Sequence, residues 1–137
     1  MNRIIALYGH ANCGKSATLN FLRELLRQNG KSISKNGPHS GDTPETFLYK
    51  GQIVCVTPDG DNEEVILSNC EYADSKNADI LITAERTKGA PIEALITFDQ
   101  SKGVEIEWVR KSNEEDLSAA TQELCNKENA EIILRML

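Results

Sequence analysis

Apolar and polar positions divide the chain into short runs whose period switches between that of a strand and that of a helix. Arg3 to Tyr8 is an apolar run (Ile4-Ile5-Ala6-Leu7-Tyr8) closed by Gly9, the pattern of a strand buried on both faces. From Ser16 the period becomes helical: Leu19, Leu22, Leu25 and Leu26 form one stripe, with Arg23, Glu24 and Arg27 outside it. Asn29-Gly30 is the stop. Lys31 to Thr46 holds Gly, Pro, Ser, Asn and Asp with almost no large apolar side chain, which predicts a long polar surface loop, a candidate mobile element. Phe47–Tyr49 and Gln52–Thr57 read as two strands around Lys50-Gly51, a hairpin pattern, and Pro58-Asp59-Gly60 ends the second.

Asp61 and Glu64 stand at capping-box spacing at the head of a helix that runs to about Ala73. Asp79–Ala84 is another buried strand, and Pro91 begins a short helix with Ile92, Leu95 and Ile96. Val104–Arg110 alternates, with Val104, Ile106 and Trp108 against Glu105, Glu107 and Val109, so one face is wetter. Ser112 or Asn113 caps a further helix with Leu117, Thr121 and Leu124 on its stripe. Ala130–Leu137 reads as a last strand or as a continuation of that helix, with the strand preferred. Strands alternating with helices predict a three-layer α/β domain, a mainly parallel sheet flanked by helices. No internal repeat or linker divides it, so residues 1–137 read as one domain.

Charge narrows the function classes. Fifteen Lys and Arg against twenty-one Asp and Glu give −6 and a pI near 5.0. That balance argues against a general affinity for nucleic acid or an anionic membrane, while leaving room for a local basic pocket. No apolar run approaches the ~20 residues of a spanning helix. The opening segment lacks the cleavage signature of a secretory peptide. The four cysteines, Cys13, Cys55, Cys70 and Cys125, have no paired spacing, so reduced thiols in a cytoplasmic protein are expected rather than a zinc site or disulfides.

The chemistry concentrates in Gly9-His10-Ala11-Asn12-Cys13-Gly14-Lys15-Ser16, which fits G-x-x-x-x-G-K-[ST] between a predicted strand and a predicted helix. Each position has a physical reason. The glycines let the backbone wrap an anion without a Cβ clash. Successive amides from Asn12 to Ser16 form a concave donor cradle, reinforced by the positive end of the following helix. Lys15 reaches the β- and γ-phosphates, and the Ser16 hydroxyl ligates Mg²⁺.

On these eight residues the chain resembles the P-loop nucleoside triphosphatase superfamily, and the α/β pattern of the remainder is compatible with it. The resemblance implies binding of a nucleoside triphosphate with Mg²⁺, and phosphoryl transfer or hydrolysis. It also implies an acidic residue at the end of an apolar strand that orients the metal's water shell. The strand Gln52–Thr57 is followed by Asp59 and Asp61, of which Asp61 is preferred although it also suits a capping role; Glu85 is held in reserve. Arg86, past the Asp79–Ala84 strand, is the candidate to neutralise transition-state charge, ahead of Lys88. His39, Ser40, Asp42 and Thr43 are polar enough to meet a second substrate or the γ-phosphate. His10 reads as solvent-facing.

A guanine site of the G-protein kind uses N-K-x-D. The nearest string, Lys76-Asn77-Ala78-Asp79, has the wrong order and precedes its strand, so ATP is favoured. The expectation is therefore a small Mg-dependent ATPase, with a small-molecule kinase and a non-hydrolysing nucleotide-responsive module as alternatives. A homodimer or another protein partner stays open.

Overall fold

A computed structural model of the chain describes residues 3–9, 14–33, 44–57, 63–86, 104–110 and 119–137, with backbone alone for Glu63, Ile66, Glu85, Arg86 and Ala119. The opening apolar run forms β1 (Arg3–Gly9), whose side chains alternate between two buried environments. Ile5 and Leu7 join one apolar cluster, and Ile4 and Ala6 join another. Both faces of this strand are covered, as its unbroken apolar pattern requires.

After it come α1 (Lys15–Asn29), β2 (Lys31–Ser32), β3 (Glu45–Tyr49), β4 (Gln52–Thr57), α2 (Glu63–Ser75), β5 (Ile80–Arg86), β6 (Glu105–Arg110) and α3 (Ala119–Met136). The six strands form one sheet in the order β2-β3-β4-β5-β1-β6. Strands β4, β5, β1 and β6 run parallel, whereas β2 and β3 are paired antiparallel. The sheet is mixed and not mainly parallel, which corrects the sequence expectation. The reason is the two-residue turn at Lys50-Gly51, since so short a connection can join only antiparallel neighbours. Both turn residues have positive φ, 51° and 76°, the geometry whose twist matches a hairpin.

Helices pack on both faces of the sheet. Leu19, Leu22 and Leu26 of α1 and Ala130 and Ile133 of α3 share the cluster of Ile5 and Leu7. Cys70 and Ala73 of α2 share the cluster of Ile4 and Ala6. Each fully buried Leu or Ile contributes about 1.5–3 kcal/mol relative to exposure, so these two seams are the main source of stability.

Three further sequence expectations change. First, Arg23 lies within the α1 stripe, not outside it, and is fully buried. It completes the spacing 19, 22, 23, 26 and meets Glu45, also fully buried, through Nε at 3.1 Å and Nη2 at 3.0 Å. Arg27 and the Ser32 hydroxyl (2.8 Å) bond the same carboxylate. Burial works against the charged form of Glu45, but the hydrogen bonds from Arg27, Ser32 and Arg23 and the charge of Arg27 outweigh it and hold its pKa below the ordinary value. Second, the ends of the polar Lys31–Thr46 segment are strands, β2 and the start of β3, with Glu45 and Thr46 buried.

Third, Ala130–Leu137 is helical through Met136, and the buried face of α3 is Asn126, Asn129, Ala130 and Ile133 while Leu124 is exposed. Two asparagines occupy that face, so an apolar stripe does not reveal it. The short helix at Pro91, the Ser112 or Asn113 cap, the Asp61 cap and residues 34–43 of the polar segment lie outside the described residues. Among the described residues, no helix is long and apolar enough to cross a membrane.

Candidate functional site

β1 ends at Gly9 and α1 begins at Lys15, so the glycine-rich motif joins the carboxyl end of an interior strand to a helix N-terminus. Gly14 is the helix N-cap, with φ 93° and ψ 20° in the left-handed region. The helical ladder starts with Thr18 N–H donating to Gly14 O at 2.9 Å, and the Thr18 hydroxyl donates to the same carbonyl at 2.8 Å. Amides ahead of that bond point out of the helix end. The first turn carries no acidic residue to oppose an anion there, and the cap has no side-chain hydrogen bond.

Lys15 joins the two ends of the motif. It is 9% exposed, and its Nζ donates to Gly9 O at 2.8 Å. A lysine expected to reach phosphates thus lies back over the end of β1, its charge held where the strand stops. Ser16 is exposed on the first turn of α1. Asn12 and Cys13, like His10, lie outside the described residues, as do Asp59, Asp61, Lys88, His39, Ser40, Asp42 and Thr43.

The register sets the neighbours of the motif. β5 runs two residues beyond the predicted Ala84, so Glu85 and Arg86 belong to the strand, beside Tyr8 and Gly9 of β1 respectively. On the other side, Arg110 of β6 stands beside Tyr8, a position that sequence reasoning did not single out. Two arginine positions therefore flank the carboxyl end of β1 in an acidic chain. β4 is separated from β1 by β5, so its end lies about two strand spacings away, roughly 10 Å. The end of β5 stands between the end of β4 and the motif, and Glu85 is on that adjacent strand.

On the α2 side of these strand ends, Thr57 donates to Ile82 O at 3.2 Å and Asn69 Nδ2 donates to the Thr83 hydroxyl at 3.3 Å. All three side chains are buried. The string Lys76-Asn77-Ala78-Asp79 has a structural role. Asn77 takes φ 54° in the turn after α2, and the Asp79 carboxylate accepts Ile53 N–H at 2.8 Å while Asp79 N–H donates to Ile53 O. It staples the start of β4 to the entrance of β5.

Sequence reasoning also missed Asn126. This α3 side chain is 7% exposed, and its Oδ1 lies 3.3 Å from the Thr18 hydroxyl. A Cβ added to Gly14 would come within 2.5 Å of Asn126 Oδ1. Glycine is therefore demanded at position 14 twice, by its left-handed φ and by the approach of α3. The signal available in the sequence was the spacing 126, 129, 130, 133, a helical face on which two asparagines break the apolar pattern.

Among the described residues, no group of three or more His, Cys, Asp or Glu is placed to hold a metal ion. Comparisons with protein-family models, curated proteins and solved structures find no match to this chain.

Proposed function

We propose that this chain binds a nucleoside triphosphate, ATP in the first instance, at Gly9–Ser16 and hydrolyses it in a magnesium-dependent reaction. The fold reading that goes with it is a three-layer domain of the P-loop nucleoside triphosphatase kind. The observation that carries the proposal is the bridged motif: an interior strand ending at Gly9, a left-handed Gly14 heading α1, and Lys15 spanning the two at 2.8 Å. Net charge of −6 does not oppose this, because the attraction for a polyphosphate is local.

Each residue has a task in that reading. Backbone amides from Asn12 to Ser16, with Gly9 and Gly14 keeping the main chain open, grip the phosphates. Lys15 exchanges its bond with the uncharged Gly9 carbonyl for the β- and γ-phosphate oxygens, so the ammonium gains an anionic partner in place of a neutral one. Ser16 and one carboxylate, Asp61 first and Glu85 second, would hold Mg²⁺. Bound there with the triphosphate, magnesium supplies neutralisation of phosphate charge. Arg86, beside the end of β1, adds positive charge toward the γ-phosphate, so catalysis is positioning and electrostatic stabilisation for attack by water.

The test is incubation with γ-labelled ATP and Mg²⁺. Release of free phosphate, lost in Lys15→Ala, is the expected result. Label on a small acceptor would make the protein a kinase, and tight binding without turnover would make it a nucleotide-responsive module. No binding at all would end the reading. Asp61→Asn and Glu85→Gln separate the two carboxylates: the one that serves the metal shifts the Mg²⁺ requirement upward, and the other leaves it unchanged.

A further inference from the structure

The C-terminal helix touches the motif at its most constrained point. Asn126 of α3 seats its amide against Gly14, where even a methyl group would collide with Oδ1, and lies 3.3 Å from the Thr18 hydroxyl that bonds Gly14 O. A buried side-chain amide is costly to place on an otherwise packed helix face, and this one is 7% exposed. Ala130 and Ile133 on the same face anchor α3 in the cluster that holds Leu19 and Leu22 of α1, so the seat is firm.

We propose that Asn126 is a positioning residue for the phosphate site, through which α3 sets triphosphate affinity. The inference rests on the binding reading above. Asn126 and Thr18 together clamp the Gly14 peptide in its left-handed conformation. That conformation decides where the amides at the head of α1 point. When the clamp is removed, Gly14 can sample other backbone states, and the entropy of ordering the cradle falls due at binding. Coupling is reciprocal: whatever holds α3 in place tightens the site, and an occupied site holds α3.

Triphosphate affinity, measured by calorimetry with MgATP on the full chain at two salt concentrations, tests this against Asn126→Ala, Asn126→Asp and Thr18→Val. Denaturation midpoints of the same proteins establish that the folded species is the one titrated. Asn126→Ala and Thr18→Val are each expected to weaken binding about ten-fold, the scale of ordinary site coupling. Asn126→Asp, which keeps the shape and adds a negative charge beside the cradle, should weaken it further at low salt and recover as salt is raised. A purely structural asparagine would lower the midpoint but leave the MgATP affinity of folded Asn126→Ala and Thr18→Val at the wild-type value. Should Asn126→Ala fail to fold, Asn126→Asp and Thr18→Val carry the decision. Wild-type affinity in these folded variants, beside a wild-type protein that binds MgATP, overturns the role of Asn126 while leaving the function intact. A wild-type protein that binds no triphosphate overturns both.

Discussion

Glu45 is the residue whose replacement should cost the fold most. It is fully buried and holds two arginines of α1 to the start of β3, so removing it takes from the buried Arg23 guanidinium the carboxylate that it bonds. Glu45→Ala is expected to destabilise by about 3–5 kcal/mol in urea denaturation. The pH dependence follows from the direction of its shift. A carboxylate whose folded pKa is depressed contributes stability that is fully present above the unfolded value near 4.5. That contribution is lost as pH falls through the folded pKa. Stability measured from pH 6 downward should therefore hold until about 4.5 and then decline. Glu45→Gln should be weaker at pH 6 and show a shallower decline. A wild-type curve no steeper than that of the variant would show that the cluster is not what acid attacks.

At the scale of elements, the hairpin turn and the helix cap both use left-handed glycine, with different consequences. Gly51 has φ 76° and open space where a Cβ would stand, so Gly51→Ala should cost about 1 kcal/mol, the backbone penalty alone. Gly14→Ala adds a collision at 2.5 Å with Asn126 to a similar penalty and should cost clearly more. Equal midpoints for the two variants would argue against the seat of α3. The same elements show what the chain makes legible. β1, the motif, α1 and the β3–β4 hairpin follow from apolar runs and glycine positions. α3 does not, because asparagines fill its buried face and the Ile132-Ile133-Leu134 run looks like a strand. Arg23 escaped notice for a related reason: charge was taken as surface, although its spacing with Leu19, Leu22 and Leu26 places it in the core.

For the whole molecule, the two-sided core has a chemical consequence. Cys55 and Cys70 lie in the α2 cluster at 0% and 1% exposure, and burial pushes the Cys55 thiol pKa up, with the Thr46 hydroxyl 3.5 Å away opposing it. Thiolate is the reactive form, so alkylation mapped by mass spectrometry should label both only at the rate of global unfolding, and the half-exposed Cys125 sooner. Fast labelling of Cys55 in the native protein would contradict the packing described. The mixed sheet was partly legible as well, since a two-residue turn between strands already implies an antiparallel pair. The order of strands was not, because nothing local in β5 says that it inserts between β4 and β1. That insertion puts Arg86 beside Gly9 and moves the end of β4 away from it.

Titration of MgATP into wild-type protein and Lys15→Ala, with denaturation midpoints recorded for both, bears most directly on the phosphate-binding claim. Lys15 bonds the Gly9 carbonyl through its charged ammonium, so its loss should cost the fold about 1.5–3 kcal/mol, less than the stability of an ordinary domain. Affinity should fall by roughly ten- to a hundred-fold or more, the scale of a charge-assisted hydrogen bond. Saturable binding by the wild type and its loss in the folded variant is the expected result. No binding by the wild type, or equal affinity in both proteins, would contradict the account.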